Sequence, residues 1–232
     1  MEHPFMILVW LLEKLGIPSL THFIHANPHV VYSWTIMLFL CVAAKLAVGT
    51  VKMVPSGGQN FFEAVLGGLE DFMVDVMGEH GRPYFPLIAT LFIYILCMNW
   101  SGIVPGSFAP TSNINTPLSM ALCVFITTHV VGVKVHGFKY VKHFTGPMWA
   151  LAPLMVPIEI IGHLARVLSL TFRLFGNILG EDLVVAILFV LAGMFFAPLP
   201  MMVLGLFTSF VQAFIFSLLT MLYIASALEE AH

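Results

Sequence analysis

The chain has 232 residues, 59% of them hydrophobic and only 9% charged. Soluble domains carry about 25% charged residues, and no soluble fold of this length could hide so much apolar surface, so lipid must solvate much of it. The formal net charge of −3 is small and gives no sign of the basic face that nucleic-acid binding requires.

The N-terminal stretch MEHPFMILVWLLEKLGIPSL lacks a basic leader region and a small-residue cleavage site, so it reads as a short amphipathic segment and not a signal peptide. His3, His22, His25 and His29 gather near it, either as a solvated polar end or as a metal-binding group. Elsewhere there is no C-x-x-C and no H-E-x-x-H, and no cofactor is expected. Cys41, Cys97 and Cys123 each stand alone in an apolar run and read as buried small hydrophobes.

A bilayer core of about 30 Å needs about 20 apolar residues per helix. Such runs occupy 30–51, 84–106, 117–138, 153–193 and 199–228. The fourth would reach roughly 60 Å as one helix at 1.5 Å per residue, about twice the bilayer. Two over-long helices joined by FFAPLP can break, protrude or tilt; steep tilt would lay them as a hairpin against something large in the membrane. Between the first two spans, Phe61, Phe62, Val65, Leu69, Phe72 and Val76 recur at helical spacing, with Glu63, Glu70, Asp71 and Asp75 largely on other faces. This predicts an interfacial amphipathic helix over 58–78, its acidic side meeting a protein partner or solvent. The expected fold is therefore an all-α membrane protein, a single polytopic domain over 1–232 with about five membrane segments.

Lys45, Lys52, Arg82, Lys134, Lys139 and Lys142 fall on one side of five crossings, against Lys14 on the other. The excess of basic residues marks the cytoplasmic side, placing the N-terminus outside and the C-terminus inside.

The fourth segment carries charges. At about 100° per residue, Glu159, His163, Arg166, Ser169, Arg173, Asn177 and Glu181 share an arc of about 120°. A central arginine costs about 2.5–3.5 kcal/mol on insertion scales, so the stripe needs a reason. Glu159 and Arg166, about two turns apart, could neutralise each other, which would make that pair structural. Arg173 has no acid three or four residues away, so its partner must come from another helix or another subunit. Asp182 falls on the opposite face, about 13 Å further along, and with Glu181 suggests a separate polar route. The last segment adds Thr208, Gln212, Tyr223 and Ser226 on one face; Thr208 and Ser226 read best as groups that bind helices together.

SLTFRLFGNILGEDLVV, followed by LFTSFVQAFIFSLLTMLYIASALEE, resembles subunit a of the F-type ATP synthases. R-L-F-G-N and Q-A-x-I-F stand in the family's order on over-long helices, and the likeness runs from about Tyr84 to the C-terminus. The resemblance implies a non-catalytic, proton-conducting stator subunit. Its partners would be a ring of c subunits, b-type peripheral stalk subunits and the lipid bilayer. It would provide two offset half-channels in a bacterial plasma membrane, an organelle membrane being the less favoured setting. Arg173 matches the family's essential arginine, and Asn177 and Gln212 match polar residues near it. Ser169 matches a position of the cytoplasmic half-channel, and Glu159 and Asp182 match acidic positions, Asp182 on the outer path. One departure concerns Gly205, where some members have histidine; Asp182 would then carry more of the outer path, helped by Glu181. His163, one turn from Glu159, is a further candidate. A stand-alone ion channel or secondary transporter is the alternative reading, although the chain shows no internal repeat.

Overall fold

The computed structural model describes residues 27–48, 57–104, 107–137, 152–192 and 198–229. Among them every regular element is helical. Five helices are long and apolar enough to cross a membrane. We number the α-helices α1 (Pro28–Val48), α2 (Gly58–Met77), α3 (Phe85–Ser101), α4 (Asn115–His136), α5 (Ala152–Ala192) and α6 (Pro198–Leu228). Short 3-10 turns at Glu79–Tyr84 and Pro110–Ser112 precede α3 and α4. Of the N-terminal histidines only His29 lies within the described residues; His3, His22 and His25 lie outside them.

Proline marks the starts. Pro28, Pro86 and Pro198 stand in the first positions of α1, α3 and α6, where a missing N–H loses no helical bond. Glycine marks a stop: Gly78 closes α2 at φ 69° and ψ −177°, a region essentially reserved for glycine, and its N–H caps the Val74 carbonyl at 2.8 Å. Pro157 lies near the start of α5 and no proline follows it, and the 41 residues form one continuous helix despite three interior glycines.

α6 is the hub, packing on α2, α3, α4 and α5. The larger core cluster joins Leu91, Phe92 and Ile95 of α3, Val124 of α4, Leu170 and Leu174 of α5, and Phe216 of α6. A second cluster, with Met73, Ile88, Val131 and Met221, seats the end of α2 against α3, α4 and α6. Leu69, Phe72 and Val76 of α2 pack there too, whereas Phe61 and Val65 stay exposed. Part of the acidic side of α2 is satisfied within the chain: Glu70 pairs with Arg82 at 3.0 Å, and Glu63 accepts from Gln59 at 2.7 Å.

The cysteines depart from the sequence reading. Cys41 and Cys123 face outward and Cys97 is half-buried. In a chain solvated by lipid, an apolar run satisfies a thiol on either face, so hydropathy carries no information about which side is inward.

Candidate functional site

One face of α5 turns outward and the other packs on α4 and α6. Val167, Leu170, Leu174 and Ile178, spaced three to four apart, form the buried seam. This seam rotates Arg173 outward, where its Nη2 donates to Ser169 Oγ at 3.4 Å. No carboxylate among the described residues forms a salt bridge with Arg173.

One turn on, Asn177 donates from Nδ2 to Gln212 Oε1 of α6 at 2.7 Å. Gln212 is 2% exposed, and its buried Nε2 has no partner among the described residues. Native folds rarely retain such a donor outside a functional site, because it forfeits hydration with nothing in return.

Beyond Asn177 the two adjacent acids part company. Glu181 turns toward α6 and lies over Gly205, where an added Cβ would overlap its carboxylate. The Thr208 hydroxyl, within 3.3 Å of Glu181 Oε2 and 3.1 Å of the Gly205 carbonyl, has one proton to share between them. Asp182 instead meets the Ser112 hydroxyl, from the turn before α4. That hydroxyl also lies 2.8 Å from the Ala109 carbonyl. The turn is held in place by a buried network: Thr111 donates to Asn99 Oδ1 at 2.8 Å, and Asn99 Nδ2 donates to the Ser209 carbonyl at 3.3 Å.

At the other end of the stripe the proposed Glu159–Arg166 neutralisation is not what the structure shows. Glu159 Oε1 lies 3.5 Å from His163 Nε2, one turn along the same helix. Arg166 points to α6, its guanidinium carbon 5.3 Å from the centre of the Tyr223 ring. A four-residue spacing brings side chains together more directly than a seven-residue one, and the apolar seam turns Arg166 toward the aromatic neighbour. The His163 ring stacks edge to face with His129 of α4, centroids 4.8 Å apart.

The hydroxyls of α6 also sort themselves. Thr208 bridges two helices, in line with its sequence reading. Ser226 bonds the Tyr223 carbonyl within its own helix at 2.9 Å, as serine does in helices with no polar partner across the interface.

Four residues of these clusters escaped the sequence reading: Asn99, Thr111, Ser112 and His129. Asn99 carried a usable signal, an amide inside the apolar span CMNW. His129 carried a similar one in ITTHVV. Nothing in the sequence pointed to the turn residues, whose polarity is ordinary for a loop.

A sequence profile described as ATP synthase A chain matches residues 30–225. The chain is 55% identical to the ATP synthase subunit a of Syntrophobacter fumaroxidans, over the whole of both proteins. It is 54% identical to the subunit a of Desulfosudis oleivorans and 53% identical to that of Trichlorobacter lovleyi, again at full length.

Proposed function

The chain belongs to the ATP synthase A chain family, and we infer that it is the proton-conducting stator subunit a of a bacterial F-type ATP synthase. It sits in the plasma membrane as a single polytopic domain with the N-terminus outside. A ring of c subunits covers the outward face of α5, and b-type stalk subunits hold it still. The observation that carries this reading is Arg173: a guanidinium on the outward face of a membrane helix, bonded only to a neutral hydroxyl among the described residues.

The mechanism follows from charge. A guanidinium stays protonated in proteins, so it cannot relay protons. It attracts an acid carried past it and favours that acid's ionised form. Each ring carboxylate therefore releases its proton at Arg173 and must regain one before it faces lipid, where a bare charge is costly. Asn177 and Gln212 keep neutral hydrogen-bonding groups beside the arginine without competing for its charge. Glu181 and Asp182 form the route on the outer side, and Glu159, His163 and Ser169 the route on the inner side. Arg173 between them prevents a proton from passing straight through. Translocation of one charge across 100 mV releases about 2.3 kcal/mol, and ring rotation draws on this together with the proton gradient. No covalent chemistry occurs in the chain.

The test is Arg173→Ala in the complex reconstituted into vesicles. Proton-driven ATP synthesis is expected to vanish while the subunit still assembles; full coupled synthesis would sink the reading. Co-purification of the native chain with small ring-forming hairpin proteins separates this function from a stand-alone channel or transporter, which would travel alone.

A further inference from the structure

We propose that His129 of α4 is a further proton-carrying residue of the inner route, linking an open groove along α4 to the His163–Glu159 pair on α5. The inference rests on the function proposed above and extends it to α4, a helix that carries none of the arginine stripe but packs against it.

Two spaces meet at this side chain. One is an open groove lined by Phe125, Ile126, His129, Val130, Val133 and Lys134, running toward the end of α4 at His136. The other is a small cavity of about 20 Å³ between α4, α5 and α6, lined by Thr128, His129, His163, Arg166 and Tyr223 among others. That volume is enough for one water molecule. His129 and Phe125 form the wall common to both, and of the two only the imidazole can hold a proton.

The chemistry of the lining narrows the choice further. Along the groove Lys134 marks the polar end and the remaining walls are apolar. The groups facing His129 from the packed helices are His163 and Arg166 of α5 and Tyr223 of α6, with Glu159 reached through His163. Arg166 offers donors and no acceptor, and the Tyr223 ring is engaged by that guanidinium. Imidazole alone exchanges a proton readily between about pH 5 and 8. The rings of His129 and His163 lie 4.8 Å apart at 73°, and His163 Nε2 is 3.5 Å from Glu159 Oε1. A proton arriving from the groove binds one nitrogen of His129 while the other nitrogen releases one, directly or through a cavity water, to His163 and so to Glu159. One proton enters and one leaves, and the ring ends neutral with its tautomer exchanged.

Phe125 fixes the geometry. Its ring lies 4.2 Å from that of His129 at 81°, so the imidazole is clamped between a phenyl ring and a second imidazole.

The experiment compares wild type, His129→Leu and His129→Gln in the intact complex reconstituted in vesicles. It reads ATP-driven proton pumping while pH is varied on the side facing the Lys134 end of α4. Pumping by both variants is expected to fall about tenfold or more, since a positioned proton carrier contributes about 10²–10⁴-fold to its step. The rate should also lose its dependence on pH between about 5 and 8 on that side. Wild-type pumping by His129→Gln, or a reduced rate with the pH dependence unchanged, would assign His129 a packing role and overturn the proposal. His129→Gln preserves polarity and carries the test alone if His129→Leu fails to assemble. The underlying function is judged separately: normal His129→Gln pumping beside an uncoupled Arg173→Ala removes only the role of His129.

Discussion

The two polar clusters of α5 on either side of Arg173 are built from different materials. Toward Asp182, carboxylates meet hydroxyls: Glu181 with Thr208, and Asp182 with Ser112. Toward Glu159, a carboxylate meets imidazoles, and a guanidinium lies on a phenol ring. The first cluster is close-packed, to the point that Gly205 has no room for a Cβ. The second borders a cavity with space for one water. In the first, each carboxylate must trade protons through groups that do not ionise. In the second, imidazoles offer ring nitrogens that can take up and release a proton themselves. On the function proposed above, a path loaded from outside and one emptied to the inside would not need to share chemistry, provided that both end at the same arginine.

Arg173→Ala should abolish coupling and so erase the comparison altogether. The next largest effect is expected of Asp182→Asn. The amide keeps the shape of the Ser112 contact but holds no exchangeable acid proton. Proton flux through reconstituted complex should drop about tenfold or more, within the range contributed by a positioned acid or base, with assembly intact. An unchanged flux would move the relay to Glu181. Gly205→Ala probes that neighbour from the other side. The new methyl group must push the Glu181 carboxylate away from Thr208, and a several-fold loss of flux, smaller than that of Asp182→Asn, is expected. A wild-type flux would show that the position of Glu181 is immaterial.

Scaffold and path can be separated at Thr111, which is fully buried. Thr111→Val removes the donor to Asn99 Oδ1 and leaves that acceptor buried without its partner. The cost should be about 1–3 kcal/mol, read as a lowered thermal midpoint of the purified complex. Because the turn that carries Ser112 also moves, flux is expected to fall modestly at the Asp182 end and not at the Glu159 end. Equal losses at both ends would mean that the clusters are mechanically coupled.

Much of this was legible beforehand, and the limits have physical causes. The all-helical class and five membrane-length helices follow from composition and run length, because in lipid the backbone must satisfy its hydrogen bonds within each segment. The arginine stripe was visible because a charge in an apolar run is conspicuous and helical geometry fixes its face. Pairings between helices were not visible. Arg166 turns to Tyr223 and Glu159 to His163, a choice set by the packing of α4 and α6 on α5 and not by spacing along α5 alone. His129 stayed hidden for the same reason: its partners lie on other elements, and a single histidine in an apolar span has no pattern to belong to.

The smallest predicted effect concerns that choice of partners. The Arg166 side chain is exposed apart from its ring contact, and such a contact is worth about 0.5–1 kcal/mol. Tyr223→Phe keeps the π face and should leave thermal stability and pumping unchanged. Tyr223→Leu removes the face, should lower stability by about that amount, and frees Arg166 to swing back toward Glu159. Glu159 would then have a permanent cation to compete with His163 for its carboxylate. Pumping by Tyr223→Leu should consequently become less sensitive to pH at the Glu159 end, while the response at the Asp182 end stays as in wild type. If Tyr223→Leu and Tyr223→Phe behave alike in both respects, the ring is packing material, and the distinction between the two clusters rests on the imidazoles alone.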